Sequence, residues 1–199
     1  MSSLPPEIET HRQPDHEINP QFLTRWSPRS FTDQEVTDDV LFSLFEAARW
    51  APSGGNMQPW RFIIARNPED RASFHSFIVP GNREWCEKAP VLALVLSHKL
   101  TANGNPNTSH TFDAGTAWGY LALEADNQGL ITHAMGGFDK QKARETLQVP
   151  EEYDLHAVIA IGYRGAVDAL DPKFHEREVP SARVPLHQLL FEGAFGKTM

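Results

Sequence analysis

Three short segments carry residue types and spacings that could do chemistry. In "RWSPRSF", residues 25–31, the polar residues Arg25, Ser27 and Arg29 alternate. Pro28 pushes Ser27 out of the α region, so the stretch is extended and the three polar side chains share one side. Two guanidiniums and a hydroxyl on one edge suit a phosphate or another anionic, planar acceptor. The competing use is a solvated edge paired with Asp33 or Glu35. In "APSGGNMQPW", residues 51–60, Gly54 and Gly55 allow a close backbone approach, while Ser53 and Asn56 supply short hydrogen-bonding groups. Without a ligand this is an ordinary helix-to-strand turn. In "MGGFDK", residues 135–140, two glycines leave backbone N–H groups open between a strand and a helix, or form a strand-end turn capped by Asp139.

Other chemistries lack their residues. No G-x-G-x-x-G follows a strand pattern and no G-x-x-x-x-G-K-[ST] occurs, so standard dinucleotide and P-loop sites are not expected. The nine histidines form no H-E-x-x-H, and His98, His110 and His133 fall on different elements, so no metal site is expected. No G-x-S-x-G marks a serine hydrolase. Cys86 is the one cysteine, which rules out an internal disulfide and a thiolate cluster within one chain and reads as a free buried thiol. A net charge of −8 argues against a general binder of nucleic acid or anionic membrane. The longest apolar run, "VLALVL" at 91–96, falls far short of the roughly 20 residues of a membrane helix, and the polar start has no signal-peptide core. The expectation is a soluble, cytoplasmic protein.

The elements that must position these segments follow from periodicity. Residues 1–18, rich in Pro and charge, read as a flexible or wrapping arm, and residues 19–199 as a single domain with a C-terminal extension. Asn19-Pro20 could cap a short helix. Thr37 opens a helix with Val40, Leu41, Leu44, Phe45 and Ala48 on one face, ended by Pro52. Residues 60–66 read as a strand, and Asn67-Pro68 as the cap and start of a helix to about Ile78. A short helix at 82–88 leads to a strand from Val91, and a long helix runs from Ser109 or His110 to Gln128, stopped by Gly129. Residues 130–135 and 155–163 read as strands around a helix at 139–148, with a short helix at 185–191 in the tail. This is an α+β pattern with about four strands and no serial βαβ units. Gly115, Gly119 and Ala122 share one face of the long helix. Glycine there costs roughly 1 kcal/mol each against alanine, so the face is expected to pack closely on another backbone, in a partner subunit or in the same chain.

Taken together and in order, "RWSPRSF", "APSGGNMQPWRF" and "AMGGFDKQKARETLQVPEEY…AVIAIGYRG" resemble motifs of the nitroreductase family, over about Phe22 to Pro185. The resemblance implies a central, mostly antiparallel sheet flanked by helices in an intertwined homodimer, with FMN sites at the subunit interface. It also implies oxidation of NADH or NADPH and electron transfer to nitroaromatics, quinones or similar acceptors. On that resemblance Arg25 and Arg183 grip the FMN phosphate, with Ser27 beside them, and Arg29 reaches the O2/N1 edge of the flavin. Pro52, Ser53, Gly54 and Asn56 border the ring from the partner subunit, braced by Gln58. Gly136 and Gly137 offer N–H groups near N5, Met135 lies beside the ring, and Asn82 meets the pyrimidine edge. Trp26 stands where many members have Arg or His, so only its backbone contact carries over, and Ser181 stands where some have a second cation. The loop from Leu100 to Ser109 is short where members that enclose a specific substrate have a long lid. A specialised flavin-dependent dehydrogenase or reductase of one metabolite, or a non-catalytic flavin-binding protein, are the alternative readings.

Overall fold

The run "VLALVL" offers no polar residue to either face, and it accordingly forms an inner strand covered on both sides. The computed structural model describes residues 4–198. In chain order the helices and strands are α1 (Pro6–His11), α2 (Gln21–Thr24), α3 (Asp38–Arg49), β1 (Trp60–Ala65), α4 (Pro68–His75), α5 (Pro80–Cys86), β2 (Val91–His98), α6 (His110–Asn127), β3 (Ile131–Met135), α7 (Lys140–Thr146) and β4 (Tyr153–Gly162). The sheet order is β1-β2-β4-β3, and every neighbouring pair is antiparallel. The strands β1 and β3 are therefore the two edges.

Because side chains alternate along a strand, each inner strand feeds two cores. Leu92, Leu94, Leu96, Val158 and Ala160 pack with Phe74, Phe77, Trp85 and Phe138 on the side of α4, α5 and α7. Val91, Ala93, Val95, Ile159 and Ile161 pack on the other side against Leu41, Leu44 and Ala48 of α3 and Ala117, Leu121 and Ala125 of α6. Fully burying a side chain such as Leu121 stabilises the fold by roughly 1.5–3 kcal/mol. Two helix starts use the expected capping chemistry: Pro68 follows an Asn67 cap whose side chain accepts from Asp70 N at 2.8 Å, and Asp139 accepts from Lys142 N at 2.9 Å, whereas Thr37 stands at the N-cap of α3 without a side-chain cap hydrogen bond. Gly129, at φ +75°, stops α6.

Several expectations need adjustment. Residues 6–11 of the arm form α1: Pro6 opens it, Glu7 and Glu9 sit in its first turn, and Ile8 is buried. Glu7 pairs with Arg164, whose guanidinium lies 4.9 Å above the Trp26 ring. The helix α4 stops at His75 rather than Ile78, because Ile78 leaves it to bridge Phe138. The tail stretch "PLHQLLF" makes only a 3-10 turn at Leu186–Gln188. On α6, Ala122 is buried, but a Cβ at Gly115 or Gly119 would meet nothing within 4 Å, so these glycines do not answer to a close backbone in the same chain. Cys86 is buried, and burial pushes its thiol up to about 12.

Candidate functional site

The extended stretch after α2 places Arg25 and Ser27 side by side, with Arg25 Nη1 3.5 Å from Ser27 Oγ. Arg183 of the tail faces the same region, and a third guanidinium, Arg12, joins them from the segment after α1. Arg12 is 8% exposed and donates to the carbonyls of Leu23 at 2.7 Å, Arg25 at 2.8 Å and Ser181 at 3.2 Å. Burial first, then Arg183 and Arg25, pull the Arg12 guanidinium down to about 10. Arg25 is lowered by burial and then by Arg183. One carboxylate opposes them, that of Asp126, which is itself raised by burial and accepts from Thr24 Oγ1 at 2.7 Å. Three clustered guanidiniums facing one carboxylate are electrostatically suited to a bound anion.

Arg29 stands further along the same stretch. Its Nη1 donates to the Arg177 carbonyl at 2.9 Å and its guanidinium carbon lies 6.0 Å from the Trp85 ring centre. The buried Glu178 carboxylate accepts the backbone N–H of Arg29 with both oxygens at 2.9 Å and that of Ser30 at 3.0 Å, so the tail pins the stretch. His133 of β3 packs on the other part of Trp85, ring centres 4.4 Å apart, and its Nδ1 lies 3.0 Å from the Pro28 carbonyl. Burial lowers His133 to about 4, so it is neutral near pH 7.

Beyond β3 the chain turns through Gly136 and Gly137. The Met135 side chain belongs to the core, so it is the backbone of the two glycines that β3 presents outward. Neither glycine N–H has an acceptor among the described residues. Asn82 of α5 donates from Nδ2 to the Gly137 carbonyl at 3.2 Å, and a Cβ on Gly137 would come within 2.6 Å of that nitrogen. Asn82 thus holds the glycine turn, one α-helical turn from Trp85. Trp26 has its indole buried beneath Arg164.

The segment before β1 forms a second group. Gly55, Asn56 and Gln58 all have positive φ, at 56°, 56° and 47°. Two of these are not glycine, and local hydrogen bonds hold them. Gln58 N donates to Ser53 Oγ at 3.0 Å, and Gln58 Nε2 donates to the Asn56 carbonyl and Oδ1 at 3.1 and 3.0 Å. Gly54 N donates to Asp113 of α6 at 3.2 Å, and the buried Asp113 also accepts from Ser109 Oγ at 3.0 Å. Pro52 and residues 54–58 remain exposed. This group adjoins edge strand β1, whereas Met135, Gly136 and Gly137 adjoin edge strand β3. Three interstrand steps separate those edges by about 14 Å. No hydrogen bond joins the two groups among the described residues.

Residue-type spacing could not reveal Arg12, Asp113, Glu178, Trp85 or His133. Most of their partners lie well outside local spacing, as with Ser181 for Arg12, Gly54 for Asp113 and Arg29 for Glu178, and the one available signal was the charge of the arm.

The model of the nitroreductase family matches residues 23–82 and 75–163, and the chain belongs to that family. Among individual relatives, it is 26% identical over 200 residues to an NADH dehydrogenase of Thermus thermophilus, covering 84% of this chain and 92% of that one. It is also 26% identical over 168 residues to an iodotyrosine deiodinase of Thermotoga neapolitana, covering 71% and 83%. A crystal structure of an oxidoreductase containing FMN superposes with a TM-score of 0.89 at 40% identity, covering 94% of this chain and 96% of that one.

Proposed function

We propose that this protein is an FMN-dependent oxidoreductase that takes electrons from NADH or NADPH and delivers them to nitroaromatic, quinone or related acceptors. The observation that carries this reading is the cluster of Arg12, Arg25 and Arg183, opposed among the described residues by the Asp126 carboxylate, which suits one terminal phosphate. One terminal phosphate accounts for this cluster, and the likeness to an oxidoreductase containing FMN favours FMN over FAD. The glycine turn at 136–137, which follows β3, adds two backbone N–H groups that have no acceptor among the described residues.

When bound, FMN supplies the hydride chemistry at its ring N5, which needs no catalytic triad. The chain's own contribution is binding and orientation. Arg25 and Arg183 neutralise phosphate, with Ser27 as a further donor, and Arg29 sets a positive charge near the pyrimidine edge. Gly136 and Gly137 would offer their N–H groups to the ring, and Asn82 fixes their turn. Donor and acceptor use one pocket in turn, which gives ping-pong kinetics. The loop from Leu100 to Ser109 favours an open acceptor pocket over a lidded one: it is a tight hairpin, with a Leu100–Pro106 bridge and Thr101 N on the Asn105 carbonyl at 2.7 Å.

The working unit is a homodimer in which Pro52, Ser53, Gly54, Asn56 and Gln58 of one subunit wall the site that the other subunit's arginines anchor. Two features support sharing. The two groups adjoin opposite edges of one sheet, and the glycine face of α6 is open and flanked by Phe112 and Tyr120, 80% and 42% exposed. Purified protein tests the reading: a yellow colour, a flavin spectrum bleached by NADH or NADPH, and heat-released cofactor running as FMN are expected. Released FAD, or a colourless protein that FMN does not turn yellow, overturns it.

A further inference from the structure

Arg12 is a buried charge that makes no ion pair among the described residues, and its three hydrogen bonds all go to backbone carbonyls. Burying a guanidinium is costly unless its donors are satisfied, and here the planar fork meets acceptors from two segments remote in sequence. Leu23 and Arg25 belong to the stretch that carries Arg25 and Ser27. Ser181 belongs to the tail that carries Arg183, whose Nη1 in turn donates to the Ser181 carbonyl and hydroxyl at 3.2 and 3.0 Å. Arg12 itself is fixed from the arm side by α1, with Ile8 in the core and Glu7 on Arg164.

We propose that Arg12 is a positioning residue for a flavin phosphate monoester: through backbone carbonyls it ties the 23–25 stretch to the 181–183 tail, so that Arg25 and Arg183 stand together. The inference rests on the FMN reading above. Among the described residues no other hydrogen bond joins 23–25 to 181–183; the nearest further tie between stretch and tail is Glu178 on the backbone of Arg29 and Ser30. The arm therefore acts on the cofactor site through the residue that follows α1, and the fork geometry matters as well as the charge. Lysine carries the same charge, but as a single ammonium on a flexible stem it does not reproduce three fixed, coplanar contacts.

The test uses holoprotein stripped of cofactor, as wild type, Arg12→Lys and Arg12→Ala, titrated separately with FMN and with riboflavin, which lacks the phosphate. Hydrogen exchange over residues 178–190 is followed in the same samples. Arg12→Lys is expected to bind FMN about tenfold or more weakly, to keep riboflavin affinity within about twofold, and to exchange its tail amides faster. Arg12→Ala should show the same pattern, larger; if it does not fold, Arg12→Lys alone decides. Wild-type FMN affinity in Arg12→Lys would show that charge suffices and overturn the positioning role. Equal losses for FMN and riboflavin would make Arg12 a general structural residue and overturn it too. A wild-type protein that binds neither flavin would instead overturn the cofactor reading, with the Arg12 proposal falling as its consequence.

Discussion

The carboxylate of Glu178 accepts the backbone N–H of Arg29 through both oxygens at 2.9 Å, joining the tail to the cationic stretch at a buried point. Glu178→Ala leaves the N–H groups of Arg29 and Ser30 buried without an acceptor, and each such loss costs about 1–3 kcal/mol. The expected loss of stability is about 3 kcal/mol by urea unfolding. Glu178→Gln, which keeps one acceptor oxygen, should lose about half as much. Equal stability of Glu178→Ala and wild type would show that water replaces the carboxylate.

Arg29→Ala is expected to leave FMN bound, because the proposed function assigns the phosphate to Arg25 and Arg183. The bound flavin should become harder to reduce, since a cation no longer favours the negative charge that reduction brings. The expected fall in midpoint potential is on the order of 30 mV, the two-electron equivalent of about 1.4 kcal/mol. Dye-equilibrated titration of the bound flavin measures it, and an unchanged potential would place the guanidinium away from the ring.

His133 sets a pH dependence of stability. Its folded value of about 4 lies below the ordinary histidine value of 6.5, chiefly through burial, so between those limits the unfolded chain binds the proton more readily. Stability is whole above about pH 6.5 and falls as the pH drops toward 4, by up to roughly 1.4 kcal/mol per unit. His75 and His156, also lowered by burial, add in the same direction. His133→Asn keeps a donor toward the Pro28 carbonyl but does not titrate there. Urea midpoints at pH 7, 6 and 5 should therefore fall less steeply in the variant, and an identical slope would remove His133 from the explanation.

Gly54 is confined by α6: a Cβ there would stand 2.8 Å from Ser109 Oγ, which is itself held by Asn107 and Asp113. Gly54→Ala is expected to cost about 1–3 kcal/mol through overpacking. Adding Ser109→Ala should return part of that cost in a double-mutant cycle. Strict additivity of the two changes would show that they do not meet.

Much of this architecture is legible in the sequence because it depends on local chemistry. The continuous apolar runs at 91–96 and 157–161 mark inner strands, Asn67-Pro68 and Asp139 mark helix starts, and Gly129 marks a stop. The segments holding Arg25, Asn56 and Gly136 stand out by composition. The arm was less legible: α1 has only Ile8 to bury, and its place depends on Arg164 and on carbonyls of Leu23, Arg25 and Ser181. Met135 is a second case, since its side chain packs in the core at the end of β3 and its place before two glycines does not reveal that. Sequence pattern identifies which elements form; long-range hydrogen bonds decide which way a given side chain is used.

The shared site is the central claim, and mixed dimers test it most directly. Arg25→Glu should repel the phosphate and Asn56→Trp should fill the ring wall, so each variant alone is expected to be inactive as a folded homodimer. Refolded together with FMN in equal amounts, half of the dimers are mixed, and each of these has one site with both lesions and one with none. The expected recovery is roughly a quarter of native NADH- or NADPH-oxidising sites, by the arithmetic of an isologous dimer. No recovery in samples where mixed dimers are confirmed by mass would contradict the account, because it would place Arg25 and Asn56 at a site within one chain.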